Sequence, residues 1–171
     1  MEKALAIIEQ IIEEHKTFLK SFEAIERVAN DNEALRGFER AQETFVPGRL
    51  DQKAVLNKLK EMVEMVSQGL GAHFEREETA LLAAFKDSGD EELVAALNTL
   101  LLEHKDLRYR LDHTGEHITR LAGGELSRQH WEATAHDMRA HITQTRKLLA
   151  AHAGVEQEMM LNLRRRLTGK K

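Results

Sequence analysis

Apolar side chains recur at alternating steps of three and four residues in four long stretches of this 171-residue chain. Because an α-helix completes a turn in 3.6 residues, that spacing places them on one face of each helix. The only proline, Pro47, lies between the first two stretches and interrupts neither. Long amphipathic helices with mostly short connections bury their apolar faces against one another. The sequence therefore predicts an all-α, up-down-up-down four-helix bundle.

Turn and capping residues divide the chain into these helices, and we expect residues 1–171 to form a single domain. Residues 33–45 carry a further apolar pattern that is out of phase with the first stretch, so we expect an extra short helical segment between helices 1 and 2. Gly69 and Gly71 lie inside the second helix and are expected to weaken or bend it. The predicted boundaries are Asn30, the VPGR turn at 46–49, Asp51, DSGD at 87–90, AGG at 122–124 and Ser127.

The composition excludes several kinds of site and partner. A formal net charge of -4 gives no reason to expect nucleic acid or an anionic membrane as a partner, and no apolar run approaches a membrane span. The chain has no cysteine, which rules out thiolate metal sites, disulfides and iron–sulfur clusters. The first residues carry acids where a secretory signal would be basic, so we expect a cytoplasmic location.

Each of the four apolar stretches contains a histidine, and two of these are followed four residues later by a glutamate on the same face. Residues at equal distances from a helical hairpin turn lie at the same height in the bundle. Each successive pair of these histidines lies at nearly equal distances on the two sides of the turn between its helices. We therefore expect all four to lie in one shared layer. The residues of this layer are His15, His73, Glu77, His104, His152 and Glu156.

Six imidazole and carboxylate groups in an apolar interior need partners, because each unpaired buried polar group costs roughly 1–3 kcal/mol. Bound metal would satisfy them, and ligation by imidazole and carboxylate without thiolate suits iron, manganese or zinc. Six ligands, two of them carboxylates that can bridge, favour a dinuclear centre. The alternative is a metal-free structural bundle in which the glutamates accept hydrogen bonds from the core histidines.

Four motifs in this layer resemble those of the hemerythrin-like family, the HHE cation-binding bundles. They occur in the family's order over nearly the whole chain, whereas ferritin-like bundles use Glu-x-x-His pairs. The resemblance implies two iron ions joined by an oxo bridge, with the four histidines as terminal ligands and Glu77 and Glu156 as bridges. The motifs are HKTFL at 15–19, HFEREE at 73–78, LLEHKDLRYRL at 101–111 and HAGVEQE at 152–158.

Two positions depart from the oxygen-carrying hemerythrins. Arg108 occupies the place of a second histidine on the third helix, and Glu156 lies four residues after its histidine where those proteins have an aspartate at five. Four histidines and two glutamates are closer to bacterial members that repair iron–sulfur clusters or respond to nitric oxide or iron. The repair proteins often carry a cysteine-containing N-terminal segment, which this sequence lacks. Glu78 turns away from the interior and is either an outer partner of the ligands or a surface acid. Arg108 either points inward as an outer partner that hydrogen-bonds a bridging carboxylate or a bound anion, or extends outward and covers the core with its stem.

The resemblance implies a non-haem di-iron protein that binds, senses or reduces a small oxidant such as dioxygen, peroxide or nitric oxide. Storage or donation of iron, as in iron–sulfur repair, is the alternative. The sequence identifies no general base and no second substrate site, so it leaves open whether the protein is an enzyme.

Five further histidines lie outside the predicted layer. His113 and His117 have the spacing of a helical metal pair but are expected on a solvated face, opposite His104. His141 is expected to be a core or bundle-end residue. His130 and His136 have no predicted partner.

Overall fold

Helices form nearly all of the part of the chain that the computed structural model describes, residues 1–31 and 50–169. No strand occurs in these two ranges. No helix within them is both long and apolar enough to cross a membrane. The predicted short segment at 33–45 lies outside the described residues. The elements are α1 (Glu2–Asp31), α2 (Leu50–Arg76), a π-helical turn (Glu77–Leu81), α3 (Leu82–Asp87), α4 (Glu91–Leu101), α5 (Glu103–Ala122) and α6 (Arg128–Thr168).

These elements make four long helical arms: α1, α2 to α3, α4 with α5, and α6. Helix α1 packs on α2 and α6, and α5 packs on the same two helices, so the arms surround a common interior. Contacts between α1 and α2 run in opposite sequence directions. Phe18 lies against Gly69, whereas Glu14, one turn earlier, lies against His73, one turn later.

The predicted turn residues act as expected at two boundaries. Gly89 has a φ of 74°, a left-handed conformation that glycine adopts without strain. The side chain of Asp90 then accepts a hydrogen bond from the backbone N–H of Leu93, at 2.9 Å, and caps α4. Ser127 caps α6 in the same way by accepting from the N–H of His130. Both capping predictions are confirmed.

The structure differs from the sequence prediction within two of the arms. The third predicted helix is divided, because at Leu102 the backbone N–H bonds to the carbonyl of Thr99 in a tight turn. The second is continuous through Gly69 and Gly71 but widens into the π-helical turn. Gly69 serves a close approach, since a Cβ there would lie 2.9 Å from the ring of Phe18.

Buried apolar side chains form two clusters, one on each side of the predicted polar layer. Along α6, Leu149 belongs to the first cluster and Met160 to the second, and His152 and Glu156 lie between them. The first cluster includes Phe22, Ile25, Leu59, Leu70, Trp131 and Ile142. The second includes Ile8, Ile11, Leu81, Phe85, Leu97 and Leu163. The polar layer is therefore sealed by hydrocarbon at both ends.

Candidate metal centre

All six residues of the predicted layer are buried in this interior, and the four arms each contribute at least one. Glu77 and Glu156 are 0% exposed, and the most accessible of the six, His15, is 5% exposed. Ionised carboxylates at such depth require compensating charge or metal. The structure therefore brings these six side chains together, as the height argument predicts.

Glu77 lies at the centre of this cluster. Its Oε1 is 2.5 Å from Nε2 of His73 and 3.3 Å from Nε2 of His15. Its Oε2 is 2.8 Å from Nε2 of His104 and 4.0 Å from Nε2 of His152. One carboxylate thus faces imidazoles from all four arms, two on each oxygen.

The ligand atoms divide into two groups, each compact enough to hold one ion. Within each group all ligand atoms lie within 4.8 Å of one another. Glu77 belongs to both groups, whereas Glu156 belongs to the first, where its Oε2 is 3.1 Å from Nε2 of His15. The first group is His15, His73, Glu77 and Glu156, and the second is Glu77, His104 and His152.

Three of the four imidazoles are oriented by a second carboxylate on their outer side. A carboxylate only accepts, so each outer contact holds a proton on Nδ1. A neutral ring then turns its Nε2 lone pair inward, where a metal ion can bind, whereas a doubly protonated ring donates from Nε2 to Glu77 in the metal-free cluster. This is the arrangement by which proteins orient metal-ligating histidines. The contacts are His73 Nδ1 to Glu14 at 2.6 Å, His104 Nδ1 to Glu78 at 2.7 Å and His152 Nδ1 to Glu103 at 3.0 Å.

Two of these outer carboxylates, Glu14 and Glu103, were not predicted from the sequence. Each directly precedes a histidine of the layer, and each reaches the histidine of a neighbouring helix. The signal available was the repeated tripeptide Glu-His-Lys at 14–16 and 103–105. In each Glu-His pair, the histidine thus points into the cluster and the glutamate orients a histidine of the neighbouring helix.

The π-helical turn begins at Glu77 and lets two consecutive glutamates hold one imidazole. Oε2 of Glu77 lies 2.8 Å from Nε2 of His104, and Oε1 of Glu78 lies 2.7 Å from Nδ1 of the same ring. Wide π turns are frequent at functional sites. Glu78 is half-exposed, so it connects this ring to the surface.

The buried carboxylates and imidazoles of the cluster change one another's pKa. Burial disfavours ionised Glu77, but hydrogen bonds from the surrounding imidazoles outweigh burial and hold its pKa below the usual range. Burial and the charge of Glu77 together raise the pKa of Glu156. Burial lowers the pKa of His15, but hydrogen bonds to Glu156 and Glu77 prevail and raise it to about 9. The pKa of His152 is raised for the same reason, mainly by Glu77.

Unsatisfied atoms show that the donor set fits a cation. Nδ1 of His15 and Oε1 of Glu156 are buried and have no hydrogen-bond partner among the described residues. Nε2 of His104 and Nε2 of His152 are 3.2 Å apart, although the outer carboxylates direct both lone pairs inward. Metal ions between these atoms would satisfy imidazole and carboxylate together, and iron, manganese and zinc accept such ligands.

The aromatic ring of Phe74 closes one side of the cluster. The ring of Phe74 is 0% exposed and stacks on His104, with centroids 3.9 Å apart. The guanidinium of Arg108 lies 5.3 Å from the centroid of Phe74 and 3.6 Å from Glu78, and its side chain is 46% exposed. Arg108 thus covers the Phe74 ring from the solvent side and pairs with the outer carboxylate of Glu78.

The remaining histidines include a group that the sequence prediction placed differently. His113 and His117 are half-buried rather than on a fully solvated face, and both rings contact His141 from α6. A turn of helix α6 that faces α5 at this height brings the three together. His130 and His136 are exposed.

The fold and the cluster define a class: a helical bundle with buried histidine and glutamate groups that can hold metal ions. The family model for the hemerythrin HHE cation-binding domain matches residues 6–161. The chain therefore belongs to the hemerythrin family, and membership implies iron binding. Neither the curated proteins nor the solved structures give a significant match.

Proposed function

We propose that the protein holds two iron ions in the buried cluster, one in each ligand group. The observation that carries this proposal is the position of Glu77, whose two oxygens face different pairs of histidines. His15 and His73 would be terminal ligands of the first ion, and His104 and His152 of the second. Glu156 would complete the first group, and the resemblance favours a second bridge from it.

The finer structural assignments belong to the same proposal. An up-down-up-down topology is supported by contacts that run in opposite directions, such as Glu26 with Arg146 and Glu9 with Arg164 between α1 and α6. Membership of the four-histidine, two-glutamate bacterial group is supported by Arg108, whose side chain lies outside the cluster, against Phe74.

We further propose that the centre binds and then senses or reduces a small oxidant, such as dioxygen, peroxide or nitric oxide. The two ligand groups are unequal: the first contains four protein side chains and the second contains three. An ion with fewer protein ligands keeps a position for an exogenous ligand. Bound iron would supply that Lewis-acidic position and the capacity to exchange electrons.

The protein's own groups would shape that position. Phe74 packs on His104 and excludes water from one side, and the hydrocarbon clusters seal both ends of the layer. An exogenous ligand would therefore have to be small. Glu103 and Glu78 hold His152 and His104 in orientation from the outside, so the ligand geometry is set before anything binds.

Anaerobic loading with Fe(II) followed by visible spectroscopy tests the proposal. We expect close to two iron ions per chain and a charge-transfer spectrum that changes on adding dioxygen, peroxide or nitric oxide. His73→Ala should abolish dinuclear loading, and His136→Ala, an exposed histidine on α6, should leave it unchanged. Two iron ions per chain in His73→Ala would refute the ligand assignment, and ready transfer of iron to an apo acceptor without a spectral response would favour iron donation.

A further inference from the structure

A second group of histidines joins α5 to α6 at a different height from the buried cluster. His113 and His117 are one turn apart on α5, and His141 faces them from α6. His113 is nine residues from His104, and His141 is eleven residues from His152. At 1.5 Å per residue these separations correspond to about 14–17 Å along the helices, so the group does not share ligands with the first centre.

The three rings are close neighbours, but their nitrogen atoms do not all lie within 4.8 Å of one another as the ligand atoms of the buried cluster do, so sharing an ion requires the side chains to rotate. The ring centroids of His113 and His117 are 4.5 Å apart. The ring centroid of His141 lies 5.2 Å from that of His113 and 5.9 Å from that of His117. The facing histidine pairs of the buried cluster have centroids 4.9 Å apart. Two imidazoles on one tetrahedral ion, with bonds of about 2.0–2.1 Å, place their centroids about 5 Å apart.

Hydrogen bonding leaves ring nitrogens available in all three residues. Nε2 of His141 lies 3.1 Å from the backbone carbonyl oxygen of Arg110, which can only accept, so the proton is on Nε2 and Nδ1 carries the lone pair. Nδ1 of His113 and Nδ1 of His117 are buried without a hydrogen-bond partner among the residues described. A carbonyl that accepts from the distal nitrogen is the usual outer partner of a metal-ligating histidine.

The surroundings of His117 and His141 favour the neutral imidazole, which is the form that binds metal. Burial lowers the pKa of His117, and the neighbouring His113 lowers it further. Burial also lowers the pKa of His141, against the effect of the Arg110 carbonyl. A lowered pKa favours the neutral ring of His117 and of His141, which loses no proton when it coordinates an ion. Tyr109 stacks on His113, with centroids 5.7 Å apart, and supports that ring from outside.

We propose that His113, His117 and His141 form a second metal site that binds a divalent transition-metal ion, with Zn²⁺ as the representative ion. Imidazole nitrogens suit zinc, nickel and copper, and three of them leave a fourth position for water. Because two ligands come from α5 and one from α6, the ion would cross-link these helices. It binds the folded state and would therefore stabilise it.

Equilibrium dialysis of the iron-loaded protein against Zn²⁺, with both metals quantified, tests this site. The wild type should take up one Zn²⁺ per chain while its iron content stays constant, and its melting temperature should rise with free zinc. His117→Gln and His141→Gln should each lower zinc affinity at least about 100-fold. Loss of a hydrogen-bond partner of a metal ligand alone costs up to about 100-fold, and loss of the ligand itself should cost more. His136→Gln, which changes an exposed histidine on α6, should bind zinc like the wild type.

The proposal is overturned if His117→Gln and His141→Gln bind zinc as the wild type does, or if zinc uptake occurs only as iron is lost. If circular dichroism shows that a variant does not fold, the site is tested on the wild type instead. Sub-stoichiometric Cu²⁺ should then selectively broaden the NMR signals of the three imidazole rings. Equal broadening of the signals of His130 and His136 would contradict the site.

Discussion

Replacing Glu77 with glutamine removes the charge at the centre of the cluster with almost no change in size. The metal-free protein should lose stability, because the Glu77 carboxylate lies 2.5 Å from Nε2 of His73 and 2.8 Å from Nε2 of His104 at 0% exposure. Removing one partner of a buried ion pair costs about 3–5 kcal/mol.

We therefore expect Glu77→Gln to reduce the free energy of unfolding of the metal-free protein by about 4 kcal/mol, within the range for a broken buried pair. For a chain of this length each kcal/mol changes the melting temperature by about 2–4 °C, so the decrease should be on the order of 10 °C. The second effect is on metal. An amide cannot bridge two cations as a carboxylate does, so the variant should bind at most one iron ion per chain.

Urea unfolding followed by circular dichroism, together with iron analysis after anaerobic loading, measures both effects. Glu75→Gln is the matched control, because Glu75 is two residues away and exposed. It should change the free energy of unfolding by less than about 0.5 kcal/mol and load normally. If Glu77→Gln behaved like Glu75→Gln in both assays, the central role of this carboxylate would be refuted.

Three further predictions concern the surroundings of the cluster. Glu103→Ala, which removes the outer partner of one imidazole, should lower iron affinity about 10–100-fold without unfolding the protein, as measured by competition with a chelator. Gly71→Ala, with nothing within 4 Å of the added Cβ, should stabilise the protein by about 0.5–1 kcal/mol. Gly69→Ala should show less gain or a loss, because its Cβ would lie 2.9 Å from the Phe18 ring; equal melting temperatures of the two variants would contradict this close approach. Because the pKa of metal-free His15 is raised from 6.5 to about 9, metal binding must displace its proton, so the apparent iron affinity should rise about tenfold per pH unit below pH 9 for each proton released. The raised pKa of His15 stabilises the metal-free protein, fully below pH 6.5, and this stabilisation is lost as the pH rises through about 9. A melting temperature and an iron affinity that do not change with pH would contradict the raised pKa.

The sequence predicts that these six side chains meet because helical periodicity and turn positions are local properties. The distances of His73 and His104 from the DSGD turn are enough to place them at one height, and both are buried side by side with Glu77. Capping by Asp90 and Ser127 follows from residue type alone.

Other features depend on contacts between helices that periodicity does not encode. Neither the π turn at Glu77–Leu81 nor the tight turn at Leu102 is marked by glycine or proline. The roles of Glu14 and Glu103 arise because each side chain reaches a histidine on another helix. The helical angle of His113 relative to His104 suggests a solvated face, but it does not reveal that α6 covers that face with His141.

An anomalous difference map at the iron absorption edge, from crystals of the Fe(II)-loaded protein, tests the central claim most directly. Two peaks are expected, about 3.5–4 Å apart, as in other carboxylate-bridged two-metal sites. One peak should lie between His15 and His73 and the other between His104 and His152, with Glu77 contacting both. A single peak, or iron located away from Glu77, would contradict the account.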